Sequence, residues 1–261
     1  MSGNQARQNR REKRRQARRE EKHGGKFPEL SNANHQNQED LEAHLEYQSN
    51  RIRFGKLEPR NESQARAINM MENSRLVFLT GPAGTGKTFL TVSLACEALE
   101  AGEIERIIIT RPMVGCDEDI GFLPGSEWEK FQAWIGPALE VLEGKLGRSK
   151  VESYVKYGLI VGKPLMMMRG ATFRNAFVIM DEAQNSTQTQ MKMFLTRIGA
   201  DSTVVLTGDL KQSDRAGDEN GLADATHRLR KSKAAAMFEF DVDDIERDPL
   251  VRDVVLAYRD E

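Results

Sequence analysis

An α/β fold with a mainly parallel sheet is predicted by three features of this 261-residue chain. Apolar runs rich in β-branched residues recur at 76–80, 104–110, 176–180 and 203–207, short enough for strands and continuous enough to be buried on both faces. Helix-periodic stretches separate several of these runs. The first run also passes directly into a glycine-rich turn and then a helix, the strand–turn–helix order of a parallel βαβ unit.

That turn is the most specific stretch of the sequence. Gly81, Pro82, Ala83, Gly84, Thr85, Gly86, Lys87 and Thr88 satisfy G-x-x-x-x-G-K-[ST] at every fixed position. Its three glycines let successive N–H groups point into one concavity, where they and the next helix N-terminus hold a polyphosphate. Lys87 supplies a charge for the β- and γ-phosphates, and Thr88 a hydroxyl oxygen for Mg²⁺. A helix is expected from Phe89 to Glu100, with Leu90, Leu94 and Ala98 on one face.

Charge divides the chain. Residues 1–26 hold ten Lys/Arg against three Asp/Glu, a net of +7, so the remainder must be −9 to give the overall −2. With almost no large apolar residue, that head cannot offset the entropy of ordering. Residues 1–50 are therefore expected to be a largely disordered basic and polar arm, able to touch nucleic-acid phosphates or simply solvated, and 51–261 the folded domain. No run has the length of a membrane span and the head lacks a secretory signal core, so a soluble cytoplasmic protein without membrane contact is expected. Cys96 and Cys116 have no C-x-x-C spacing, and three of four histidines (His23, His35 and His44) lie in the polar N-terminal region, which argues against a disulfide framework or a zinc site. Cys96 reads as a small core residue.

Within the domain, 64–72 reads as a helix with Ala65, Ile68 and Met70 or Met71 inward. Gln64 is then a residue that could read an adenine edge through one donor and one acceptor, although a lone surface Gln is usually just solvated. The strand at 104–110 ends in Arg111 and Pro112, and strand ends in open α/β sheets carry ligand contacts. A turn at Gly121–Gly125 leads to a helix-compatible stretch, 127–144, whose Trp128 and Trp134 read as packing residues. Further strands are expected at 165–168 and 237–240.

The second chemical anchor is Ala176 to Asn185, AFVIMDEAQN. An apolar strand ending in adjacent carboxylates sets Asp181 at the sheet edge to hold Mg²⁺, with Glu182 left to orient and deprotonate a water. The phosphate loop is expected on a neighbouring strand. After the strand at 203–207 comes GDLKQSD, in which Gln212 could contact the γ-phosphate or the attacking water. Met191, Phe194, Leu195 and Ile198 share a helical face that reads as core.

In order, GPAGTGKTFL, TRPMV, GFLPG, MRGATF, FVIMDEAQN, QMKMFLTRIG, LTGDLKQSD and IERDPLVRDVVLAY resemble the PhoH family of ATPases from about Gln64 to Tyr258. The resemblance implies a single RecA-like P-loop NTPase domain similar to the first lobe of superfamily 1 helicases. It further implies ATP and Mg²⁺ as ligands, Gln64 as adenine contact, Gln212 as γ-phosphate sensor and Arg111 near a nucleic-acid path. Two blocks depart from the family pattern: Gly115–Ile120 before GFLPG, and Asp248, where relatives carry His. The region before Arg51 reads as too short and polar for the nuclease domain of some relatives, so nuclease activity is not expected to carry over.

The expected activity is hydrolysis of ATP to ADP and phosphate, coupled to RNA or single-stranded DNA in a helicase-like oligomer. A homo-oligomeric ring would supply the wall that a single lobe lacks. Arg247, matching the arginine of the terminal block, is the candidate to reach a neighbouring subunit's ATP; its plainer reading is a surface arginine paired with Asp248 or Glu246. Two other functions share the phosphate loop: a small-molecule phosphotransferase, and a non-enzymatic module that assembles on ATP.

Overall fold

The structure, a computed structural model, describes residues 53–112, 132, 135–212, 220–247, 250, 253, 254 and 257. The chain divides into two units, Met1–Gln48 and Ser49–Glu261, and every described residue belongs to the second. The arm, Gly115–Gly125, Trp128 and Trp134 lie outside the described residues.

Six parallel strands form one sheet in the order β3-β2-β4-β5-β1-β6. They are β1 (Leu76–Thr80), β2 (Arg106–Thr110), β3 (Ile160–Gly162), β4 (Ala176–Met180), β5 (Thr203–Gly208) and β6 (Ala236–Glu239). Helices among the described residues include α1 (Glu62–Asn73), α2 (Lys87–Glu100), α3 (Pro137–Leu146), α4 (Arg148–Lys156), α5 (Gln188–Leu195) and α6 (Gly221–Leu229).

Every residue of β1 and β4 is buried, because helices cover both faces of the sheet. Alternation along each strand then divides the core in two. Val77, Leu79, Ile107, Ile109, Ile179 and Val205 pack on one face with residues of α1 to α4, among them Met71, Leu142 and Val151. Leu76, Phe78, Ile108, Val178, Met180 and Val204 pack on the other with Met191 and Phe194 of α5 and Leu222 of α6. The expected core face of Met191 and Phe194 is thus present, and a capping box between Thr187 and Gln190 starts its helix. Cys96 is also buried, and burial pushes its thiol up to about 12.

Several expectations are corrected. Leu165–Met168 is a 3₁₀ turn, and the strand beside β2 is Ile160–Gly162 instead. Val161 and Ile160 are β-branched whereas the methionines are not, and Pro164 between them ends the ladder, its carbonyl accepting from Met167 N. The stretch 127–144 is not one helix among the described residues: Gly136, at φ 45°, precedes a new start at Pro137. Helices α4 and α6 lie outside the stretches in which a helix is expected from the sequence. In α1 the fully buried residues are Gln64, Ala67 and the expected Met71, with Ile68 half-buried against the core, and in α2 the expected Leu90 is buried together with Val92, Ala95, Cys96 and Leu99.

The phosphate-loop strand β1 and the carboxylate strand β4 are not neighbours, because β5 runs between them. All three strands end at the same edge of the sheet. That edge carries the site.

Candidate active site

At the end of β1 the chain turns through Gly81 at φ 130°, where a Cβ would fall 2.5 Å from the Phe240 carbonyl oxygen, so only glycine fits. Gly81 N donates to Gly208 O at 3.2 Å, tying the loop to β5. Gly86, in the left-handed region, caps α2, and the buried Thr85 hydroxyl donates to Pro82 O at 3.1 Å. Pro82 and Thr85 thereby shape the loop from within, while Ala83, Gly84 and Gly86 face the cleft. Lys87 Nζ donates to Gly81 O at 2.7 Å and Pro82 O at 2.8 Å, which holds its ammonium inside the loop. Burial pulls Lys87 below the usual lysine range, and the opposing acids Asp209, Glu182 and Asp181 partly restore it.

Asp181 follows β4, and its N–H donates to Thr110 O at 3.0 Å, extending the pairing with β2 by one residue. Its Oδ1 accepts from the Thr88 hydroxyl at 3.0 Å and from the Thr207 hydroxyl at 2.5 Å. Thr207 comes from the intervening strand β5, which makes that strand part of the site. Two hard oxygen ligands, the Thr88 hydroxyl and the Asp181 carboxylate, fit Mg²⁺, which keeps several waters and takes phosphate oxygens. Among the described residues no cluster of three or more His, Cys, Asp or Glu could hold a metal by itself.

Glu182 adopts a left-handed conformation, φ 51° and ψ 43°, uncommon for a residue that is not Gly, Asn or Asp. Its Oε2 accepts from Gln184 Nε2 at 2.6 Å. Gln212 is exposed and lines the same cleft.

Gln64 is not solvated. It is 4 % exposed, its Nε2 donates to Thr85 O at 3.2 Å, and its Oε1 accepts from Arg60 N at 2.9 Å. Arg247 lies over the phosphate loop of its own chain: a Cβ on Gly84 would sit 3.1 Å from Arg247 Cδ. The backbone joins there as well, since Glu246 N donates to Gly84 O at 3.1 Å and Asn61 Nδ2 donates to Glu246 Oε1 at 2.8 Å.

A cleft of about 490 Å³ brings together Gln64, Lys87, Thr88, Asp181, Glu182, Gln212 and Arg247. Arg111 does not line it; its guanidinium lies beside Gly136. Sequence reasoning missed Thr207 and Gln184, both inside recognised blocks, and the wall formed by Phe54, Glu58, Arg60 and Phe89. Phe54 meets Phe89 edge to face at 5.1 Å.

The family profile described as PhoH-like protein matches residues 56–259. This chain belongs to the PhoH-like family. As a PhoH-like chain it is 44% identical over 196 residues to the PhoH-like protein of Bacillus subtilis, covering 75% of this chain and 61% of that protein. It is 42% identical over 202 residues to protein PhoH of Escherichia coli K12, covering 76% and 57%. The PhoH-like chain thus spans about three fifths of the length of these relatives. Among solved structures, the large terminase of a thermophilic bacteriophage is 10% identical, covering 76% of this chain and 50% of its own, at a TM-score of 0.48. The motif, the parallel sheet and the family together make the PhoH-like domain a P-loop NTPase.

Proposed function

We propose that the chain binds Mg·ATP and hydrolyses it to ADP and phosphate, coupled to RNA or single-stranded DNA in a homo-oligomer. The observation that carries the reading is the meeting, in one cleft, of Lys87, the Thr88–Asp181 pair at 3.0 Å and Glu182. Lys87 exchanges the Gly81 and Pro82 carbonyls for β- and γ-phosphate oxygens, while loop N–H groups and the α2 N-terminus hold the remaining charge. Thr88 and Asp181 would hold Mg²⁺, which when bound would supply charge neutralisation for the phosphates. Glu182 takes a proton from water as the water oxygen bonds to the γ-phosphorus and the bond to the β,γ-bridging oxygen breaks. Gln212 contacts the γ-phosphate or the water, Gln64 the adenine edge, and Arg247 the departing charge. The basic arm supports the nucleic-acid coupling, with Arg111 as a contact from the folded domain.

Two variants test the reading, with phosphate release followed with and without single-stranded RNA or DNA. Lys87→Ala should lose tight ATP binding by removing the loop cation. Glu182→Gln should keep ATP binding and lose turnover, because an amide cannot act as the base. Wild-type turnover in Glu182→Gln would refute the base assignment, and transfer to a small acceptor in place of water would make the chain a phosphotransferase.

A further inference from the structure

Gln184 is 4 % exposed, contacts two strand ends, and has had no role so far. Its Nε2 donates to Glu182 Oε2 at 2.6 Å, and its Oε1 accepts from Asp209 N at 3.2 Å. The first partner follows β4. The second opens the loop from β5 to Gln212, where Asp209 Oδ1 accepts from Lys211 N at 2.9 Å. Only one orientation of the amide satisfies both bonds, because the carboxylate accepts and the backbone N–H donates.

Gly208 gives independent support. Its φ is outside the left-handed region, so backbone conformation does not demand glycine there. Space does. A Cβ would fall 2.5 Å from Gln184 Oε1 and 2.6 Å from Leu222 Cδ2, so the missing side chain leaves the volume in which the Gln184 amide sits.

We infer that Gln184 is a positioning residue that ties the Glu182 carboxylate to the β5–Gln212 loop, so the aim of the base follows the position of that loop. The inference rests on Glu182 acting upon the attacking water. Without Gln184 the carboxylate can rotate about its side-chain torsions, and a misplacement of about 1 Å can cost on the order of 10²-fold in rate. ATP binding should change little, because the Gln184 hydrogen bonds go to Glu182 and Asp209 and not to the phosphate loop or the Thr88–Asp181 pair.

The test uses the full chain carrying Gln184→Met, which keeps length and packing but loses both bonds, and Gln184→Glu, which keeps the acceptor for Asp209 but sets a second carboxyl against Glu182, so that the two share a proton and Glu182 is no longer a free base. Each should lower kcat for ATP by roughly 10²-fold, with KM and nucleotide-induced thermal stabilisation changed less than about twofold. In single turnover, Gln184→Met combined with Glu182→Gln should retain the residual rate of Glu182→Gln alone, because residues acting as a unit are not additive. Wild-type kcat in both variants, a double variant slowed by the full Gln184→Met factor, or loss of cooperative melting in both single variants would each overturn the inference. If Glu182→Gln itself turns over ATP at the wild-type rate, the proposed hydrolytic mechanism fails instead.

Discussion

At the scale of single residues, Arg247 changes most between sequence and structure. An arginine about 160 positions beyond the phosphate loop invites a role in a neighbouring subunit, since a single lobe leaves one side of ATP open. In the folded chain its side chain rests on Gly84, and Glu246 beside it is bonded to the same loop. Action in cis is the expectation that contact supports. Arg247→Ala should keep ATP binding and lower turnover by about 10³-fold or more, and Arg247→Lys should rescue poorly because it lacks the planar fork. Mixing Arg247→Ala with Lys87→Ala protomers distinguishes the two geometries. A cis arginine restores no activity in the mixture, because no protomer holds both groups; recovered phosphate release would establish action in trans.

At the scale of elements, the segment before α1 forms a wall of the cleft. Arg53 N and Phe54 N both donate to Gly144 O, at 2.8 and 2.9 Å, and the Phe54 ring fills the space a Cβ on Gly144 would need. Lys145, with 5 % of its side chain exposed, then bonds Gly55 O and Glu97 Oε1, each at 2.6 Å, while Leu57 N donates to the same Glu97 oxygen at 2.5 Å. Removing one partner of a buried pair leaves the other charge uncompensated, at a cost of about 3–5 kcal/mol when both are fully buried. Glu97 keeps 31 % exposure and a backbone donor, so Lys145→Met should cost about 2–3 kcal/mol in chemical denaturation. Because Phe54, Glu58 and Arg60 line the cleft, the same variant should raise KM for ATP more than it lowers kcat.

No local pattern announces such a wall. The phosphate loop and the Asp181–Glu182 pair were legible because their chemistry needs fixed residue types at fixed spacing on strand ends. The central strands were legible because burial on both faces leaves unbroken apolar runs. What escaped depends on tertiary neighbours: the adjacency of β5, which supplies Thr207, the choice between Ile160–Gly162 and Leu165–Met168 as a strand, and the burial of Gln64 under the loop. Short runs such as these carry too few residues for periodicity to decide.

At the scale of the whole molecule, the two signs of charge are separated along the chain. Residues 1–26 carry a net of +7 and the remainder −9, so a polyanion is attracted to one end and repelled, on average, by the rest. The carboxylates at the cleft belong to the acidic part, as do all of its lining residues. If nucleic acid is the coupled partner, the arm should therefore supply much of the salt-dependent affinity while contributing nothing to phosphate chemistry. Each phosphate contact adds about 0.7 to 0.9 to the slope of log affinity against log salt. Deleting residues 1–26 should thus weaken binding to single-stranded RNA or DNA to a similar degree across sequences, and flatten the slope by several such increments. Basal ATP turnover, measured without nucleic acid, should survive the deletion. Titrations of both forms at several salt concentrations, with single strands of unrelated sequence, read the difference directly. A slope that survives truncation would assign the phosphate contacts to the folded unit, with Arg111 at the end of β2 the first residue to substitute there.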